Sequence, residues 1–166
     1  MNVELRMMKT LLIITFLFWS AATNAQEIKK IKVTELEKTI KESKTPMIVN
    51  FWATFCKPCI AEIPYFEAAV NKYKKDGVTL LLVSLDLKED YPKIKPLATK
   101  RNFTSPIVWL NETDADYFCP KVDSSWSGAL PATLFINNKT GYRKFYEEQV
   151  KEEKLEKEIV AILKSQ

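Results

Sequence analysis

Two cysteines separated by two residues, Cys56-Lys57-Pro58-Cys59, lie between a short apolar run and a helix-like segment. The apolar run, Met47–Trp52, predicts a buried strand, and the following pattern predicts a helix from about Cys59 to Lys75. A thiol at the start of a helix meets free backbone N–H groups and the positive end of the helix dipole, and both favour the thiolate. We therefore expect Cys56 to be the more exposed thiol and the nucleophile, and Cys59, one turn later, to be the resolving thiol.

Other uses of the cysteine pair fit the sequence poorly. The chain has no histidine, which excludes Ser–His and Cys–His catalysis and removes the commonest metal ligand. A zinc site needs four ligands, and Cys119 is the only cysteine outside the pair. Haem attachment needs a histidine where Ile60 stands, and a structural disulfide across so short a loop would add little stability. We expect redox chemistry with no cofactor and no metal.

The remaining periodicities predict a single domain of alternating strands and helices. Elements are expected, in chain order, over Thr34–Lys41 (helix), Met47–Trp52 (strand), Cys59–Lys75 (helix), Val78–Leu85 (strand), Tyr91–Arg101 (helix), Ile107–Leu110 (strand), a hairpin of Ala132–Ile136 and Tyr142–Tyr146, and a C-terminal helix containing Leu155, Ile159, Ile162 and Leu163. This order predicts an α/β fold with a mixed sheet and helices on both faces. Thr34 and Glu37 suggest a capping box for the first helix. Residues 111–128 give no clear pattern, and their aromatic side chains fit either the core or an insertion that selects partners.

The N-terminus has the pattern of an export signal. Arg6 and Lys9 precede an apolar stretch at 10–19, and small or polar residues follow up to Ala25. The apolar stretch is shorter than the roughly 20 residues of a membrane span. We therefore expect a signal peptide over 1–25, a domain over 26–166, a periplasmic or other extracytoplasmic location, and no stable membrane span after cleavage. An uncleaved membrane anchor is the alternative.

The net charge of +4 comes from lysines interspersed with glutamates, so no nucleic-acid partner is expected.

Two motifs resemble a known family. Residues 51–59 resemble the active-site segment of the thioredoxin superfamily, Pro64 falls where that family has a helix-kinking proline, and Leu130-Pro131-Ala132-Thr133 resembles its cis-proline loop. Glu62-Ile63-Pro64 resembles the exported TlpA/ResA type. The resemblance covers roughly residues 28–165 and implies a thioredoxin-like three-layer sandwich. It also implies an exported thiol–disulfide oxidoreductase, with reduction favoured over oxidation. Exported cysteine-containing proteins, including those of cytochrome c maturation, are the implied partners, together with a membrane electron donor.

The resemblance also implies roles for residues around the cysteines. Thioredoxins proper carry an aspartate where this chain has Asn50, and we expect Glu62 to supply the missing carboxylate as the acceptor of the Cys59 proton. Glu62 follows Cys59 by three residues, which places both on one helical face.

Substrate is expected to meet a second group of residues. The implied cis bond before Pro131 would place the Leu130 backbone beside Cys56, where it could pair with an extended substrate segment. Trp52 is expected beneath the motif, shaping its apolar rim, while Lys57 adds positive charge and Pro58 fixes φ. The predicted substrate-binding residues are therefore Trp52, Lys57, Pro58, Leu130 and Pro131.

Two other functions stay open at this stage. A thiol peroxidase would need an arginine at its cysteine, and the arginines here, Arg6, Arg101 and Arg143, are all distant in sequence. A haem or metal carrier on the same fold would lack the histidine that copper chaperones of this fold use. Cys119 is expected to be an inert buried side chain.

Overall fold

A computed structural model describes residues 28–164 of the chain. The predicted signal peptide at 1–25 lies outside the described residues. The elements, in chain order, are β1 (Lys29–Ile31), α1 (Val33–Glu42), β2 (Met47–Trp52), α2 (Lys57–Lys72), β3 (Thr79–Ser84), α3 (Tyr91–Lys100), β4 (Ile107–Leu110), α4 (Ala115–Val122), β5 (Ala132–Asn137), β6 (Tyr142–Tyr146) and α5 (Glu152–Lys164). No helix within this range is both long and apolar enough to cross a bilayer.

The six strands form one mixed sheet in the order β1-β4-β3-β2-β5-β6. The first four positions in that order are mutually parallel, whereas β5 runs antiparallel to β2 and forms a hairpin with β6. The predicted hairpin is therefore confirmed, and β3 is a central parallel strand. The cysteine motif follows β2, which lies in the middle of the sheet.

Helices cover both faces of the sheet, as the predicted three-layer architecture requires. Alternate residues of β2 enter two separate cores, because successive side chains of a strand point to opposite faces. Ile48 and Trp52 pack under α2, α3 and α5, whereas Val49 and Phe51 pack under α1 and α4. Each of these four side chains is completely buried.

Two elements and one cap differ from the sequence-based expectations. The edge strand β1 was not predicted, because it has only three residues and two of them are exposed lysines. Helix α4 lies in the segment that gave no clear pattern, and it buries Phe118, Cys119 and Val122. The prediction of a capping box at the start of α1, formed by Thr34 and Glu37, is wrong. The N-cap is Lys32, Thr34 lies inside the helix, and the first N–H, that of Val33, donates to Glu112 Oε1 at 3.0 Å.

The helix after the cysteines is shorter than predicted. It ends at Lys72, and a separate 3₁₀ turn, Lys74–Asp76, carries the chain to Gly77. Gly77 has a φ of +78°, a left-handed conformation that glycine adopts without a side-chain clash, and Val78 then leads into β3. Pro64 is accommodated inside α2, which continues for two further turns.

Candidate active site

Cys56 and Cys59 form a disulfide at the first turn of α2, with their Cα atoms 5.3 Å apart. Cys56 is the N-cap residue, and its Sγ accepts a hydrogen bond from the Cys59 backbone N–H at 3.3 Å. In the reduced protein this N–H and the helix dipole would stabilise a negative sulfur at Cys56. The Cys56 residue is 7% exposed and Cys59 is 0% exposed, so the first cysteine is the one that another molecule can reach.

The loop before Cys56 is held by a carboxylate that the sequence analysis missed. Asp86, which follows β3, is 3% exposed and accepts hydrogen bonds from the Thr54 backbone N–H at 3.0 and 3.1 Å. It also accepts from the hydroxyls of Thr54 and Ser84. The Asp86 carbonyl in turn accepts from Trp109 Nε1 at 2.7 Å. This network ties the loop to the ends of β3 and β4, and so fixes where Cys56 begins the helix.

Trp52 lies in the core together with both cysteines. Its indole packs edge-on against Phe103, with ring centroids 5.7 Å apart. Trp52 has no exposed surface, so it lies beneath the motif, and its part in substrate binding stays a prediction. It can influence a bound substrate only through the residues that it supports from below.

Glu62 is a completely buried carboxylate on α2, three residues after Cys59. Its Oε1 accepts a hydrogen bond from Asn50 Nδ2 at 2.8 Å, and its Oε2 accepts from the Val150 backbone N–H at 3.2 Å. Burial raises the pKa of Glu62 to about 7, although the two hydrogen bonds act in the opposite direction. A carboxyl group with this pKa can both accept and release a proton near neutral pH.

Asn50 joins Glu62 to the strand that carries the proline loop. Asn50 on β2 is paired with Thr133 on β5, and Asn50 Nδ2 donates to Thr133 Oγ1 at 3.0 Å as well as to Glu62. Both Asn50 and Thr133 are completely buried. The strand, the cysteine helix and the proline loop therefore meet at one buried polar cluster behind the disulfide.

The peptide bond between Leu130 and Pro131 is cis, as the family resemblance implied. The segment before it is fixed by Glu147, whose carboxylate accepts from the backbone N–H groups of Ser127 and Ala129 at 2.8 to 3.2 Å. Burial acts to raise the pKa of Glu147, but these hydrogen bonds outweigh it and the pKa is lowered. An ionised Glu147 thus anchors the loop that precedes the cis bond.

A depression of about 630 Å³ opens beside Cys56. It is lined mainly by apolar residues from four segments of the chain: Phe55, Cys56, Lys57, Pro58, Leu85, Leu87, Glu112, Thr113, Ala115, Phe118, Gly128 and Leu130. The structure thus brings Lys57, Pro58 and Leu130 of the predicted substrate-binding set to one depression with Cys56. Pro131 is buried behind them. Phe55 and Leu87 are 64% and 60% exposed, so this surface offers apolar contacts to another molecule.

The third cysteine is buried on the opposite face of the sheet from Cys59. Cys119 is 2% exposed and unpaired, and burial raises the pKa of its thiol to about 11, with a smaller effect of Glu147 and Asp116. A thiol with that pKa stays protonated and unreactive at neutral pH. Among residues 28–164 there is no cluster of three or more histidine, cysteine or acidic side chains that could hold a metal ion.

Comparisons with known proteins show what the whole chain is similar to. Residues 19–141 match the model of the AhpC/TSA family. The chain is 32% identical over 135 residues to the thiol-disulfide oxidoreductase ResA of Bacillus cereus, covering 77% of this chain and 72% of that protein. It is 29% identical over 116 residues to the ResA of Geobacillus kaustophilus, covering 70% and 62% respectively. The solved thioredoxin-related protein of Neisseria meningitidis serogroup B superposes with a TM-score of 0.59 at 25% identity, covering 75% of this chain and 87% of that one.

Proposed function

Because the chain belongs to the AhpC/TSA family and is a thiol–disulfide oxidoreductase of the ResA type, we propose that it reduces disulfide bonds in exported proteins. Its substrates would be cysteine-containing proteins outside the cytoplasm, including those of cytochrome c maturation, and a membrane electron donor would return it to the dithiol form. The export pattern at residues 1–25 supports this location. The observation that carries the proposal is the reducible pair at the start of α2, backed by the buried Glu62 carboxylate.

The first half of the reaction uses Cys56. Its thiolate attacks one sulfur of the substrate disulfide, a new S–S bond joins Cys56 to the substrate, and the second substrate sulfur leaves as a thiolate. The Cys59 N–H, which lies 3.3 Å from Cys56 Sγ, would stabilise the thiolate before the attack. Leu130, next to the cis bond, offers backbone groups to an extended substrate segment.

The second half uses Cys59 and Glu62. The ionised Glu62 accepts the proton of the Cys59 thiol, and the resulting thiolate attacks Cys56 Sγ. The Cys56–Cys59 bond forms, the mixed disulfide breaks, and the second substrate thiolate is released. The substrate has then gained two electrons and the protein has lost two. A dithiol of the membrane donor would reduce the Cys56–Cys59 bond by the same exchange in reverse, and Glu62 would then return its proton.

The reduction potential of the Cys56/Cys59 pair tests the direction of this chemistry. Equilibration of the full-length protein with dithiothreitol or glutathione buffers, followed by counting free thiols, gives the potential. A value near or below about −250 mV is the result expected of a reductase, whereas a value near −120 mV would identify an oxidant and contradict the proposal. Peroxide consumption serves as the control for the thiol-peroxidase alternative. Neither Arg101 nor Arg143 lines the depression beside Cys56, so no such activity is expected.

A further inference from the structure

Two further depressions lie along helix α3, next to the depression beside Cys56. A second depression, of about 530 Å³, shares Phe55 with it and extends over Pro92, Pro96 and Lys100. A third, of about 640 Å³, shares the same two prolines and Lys100 and extends to Lys95 and Ile28. We call the second and third depressions together the α3 groove. Phe55 borders both the depression beside Cys56 and the second depression, and the exposed edge of α3 formed by Pro92, Pro96 and Lys100 borders both the second and the third.

The walls of the α3 groove are suited to hold a chain segment. Pro92 and Pro96 are exposed on α3, and proline loses little conformational entropy when it is covered. Helix α3 itself is anchored from below by Ile94 and Ala98, both in the core. Phe55, which borders both the depression beside Cys56 and the α3 groove, is 64% exposed, so its ring can contact a molecule bound in either.

The charges that remain unneutralised along this path are all positive. Asp90 is paired with Lys93 at 2.6 Å, and Glu112 accepts from the Val33 N–H and from Lys32. By contrast, Lys57, Lys95 and Lys100 are exposed and form no ion pair with any residue of 28–164. The carboxylates of Asp90 and Glu112 thus already have partners within the protein, whereas the three lysines can form ion pairs with a bound molecule.

We propose that the α3 groove binds an acidic segment of the substrate protein while a disulfide of the same protein lies at Cys56. The inference rests on the proposed function and adds to it the kind of partner: a polypeptide with apolar residues near its reactive cysteine and acidic residues further along. Complementary charge at the rim of an interface mainly speeds association and weakens as salt is added. A polypeptide fits better than a flat anionic membrane surface, because Lys95 and Lys100 border depressions next to the one that holds Cys56.

Peptide disulfides of different charge test the proposal. Each of three short peptides carries a single cysteine that forms a disulfide with 2-mercaptoethanol, next to the same leucine. The peptides differ only in the residues beyond that leucine, which are aspartates in the first, asparagines in the second and lysines in the third. The reduced full-length protein should reduce the aspartate peptide about tenfold faster than the lysine peptide at low ionic strength, and high salt should remove most of that ratio. Equal rates for the three peptides would overturn the proposal.

Paired charge reversals separate the groove from the net charge of the protein. Lys95→Glu with Lys100→Glu should abolish or invert the ratio between the aspartate and lysine peptides. Lys44→Glu with Lys139→Glu changes the net charge equally at exposed positions outside the groove and should leave the ratio high. If the control pair lowers the ratio as much, the groove is not responsible and the proposal is wrong. Thermal melting curves check that each variant is folded. If the charge-reversal variant of the groove is unfolded, the double variant Lys95→Gln with Lys100→Gln replaces it and should lower the rate ratio part of the way.

Two further measurements distinguish the remaining outcomes. The neutral substrate 2-hydroxyethyl disulfide reports on the proposed function alone. If the wild-type protein fails to reduce this substrate, the proposed function is wrong. If it reduces this substrate but shows no preference for the aspartate peptide, only the proposal about the α3 groove is wrong. Sedimentation with phosphatidylglycerol vesicles tests the membrane alternative. Binding that depends on Lys95 and Lys100, together with unchanged peptide ratios, would assign the surface to lipid and overturn the proposal.

Discussion

Asn50 Nδ2 lies 2.8 Å from Glu62 Oε1, and both residues are completely buried behind the disulfide. The amide donates to the carboxylate, so this contact favours the ionised form of Glu62. Burial opposes it and dominates, which leaves the pKa of Glu62 at about 7. A carboxyl group held at this balance can accept or release a proton near neutral pH, which is the property that the proposed role of Glu62 requires.

Glu62→Gln should slow the resolution of the mixed disulfide about a hundredfold, the lower end of the effect of general base catalysis. The wild-type rate should rise with pH through about 7, as Glu62 ionises, and the variant should lose that inflection. Quenched-flow analysis of a mixed disulfide on Cys56 measures the step. Glu42→Gln, at an exposed position on α1, is the matched control and should keep the wild-type profile. An unchanged pH profile in Glu62→Gln would remove the proton-accepting role.

The same carboxyl group should make the stability of the oxidised protein fall as pH rises. Its pKa is about 7 when folded against about 4.5 when unfolded, so between these values the folded state binds the proton and the unfolded state does not. At about 1.36 kcal/mol per pH unit, the free energy of unfolding should drop by about 3 kcal/mol relative to Glu62→Gln across that window. Urea unfolding of both proteins at the two ends of the window measures it. Parallel pH dependences in the two proteins would contradict the prediction.

Asn50→Leu removes the Nδ2 donor while keeping a side chain of similar size. Because the ionised form of Glu62 loses a hydrogen bond, the pKa of Glu62 should rise further, by about one unit for a charged hydrogen bond of roughly 1.5 kcal/mol. The midpoint of the resolution step should therefore move above pH 7. Thr133→Val, which leaves the Asn50–Glu62 bond in place, should shift the midpoint less. A midpoint that stays or falls in Asn50→Leu would show that the amide does not stabilise the carboxylate.

Asp86→Asn should lower the free energy of unfolding by about 2 kcal/mol, because the charged acceptor of the Thr54 N–H and the Ser84 hydroxyl is lost. Asp76→Asn, at an exposed position, should have little effect. Denaturant unfolding measures both variants. If the two variants unfold alike, Asp86 does not hold the loop before Cys56.

The parts of the site that follow from local periodicity were predictable. The spacing from Cys59 to Glu62 places both on one face of any helix, and the apolar runs identify β2 and β3. Asp86 could not be found this way, because its partner Thr54 lies thirty-two residues earlier and meets it only when β2 and β3 pair side by side. Helix α4 was missed because Pro120 and polar residues interrupt its pattern. The Asp114 side chain, which accepts from the Tyr117 N–H as an N-cap, was the available sign of its start.

Alkylation should separate the three thiols of the reduced protein. Cys56 is at the mouth of the depression and at a helix N-terminus, so it should react with iodoacetamide at neutral pH. Cys59 has no exposed surface, and burial raises the pKa of Cys119 to about 11, so both should react at least about a hundredfold more slowly. Mass spectrometry of peptides from timed samples gives each rate, and a guanidinium-unfolded sample should label all three at similar rates. If Cys56 proves as slow as Cys119 in the folded protein, its assignment as the attacking thiol is wrong, because the nucleophile must be both ionised and reachable.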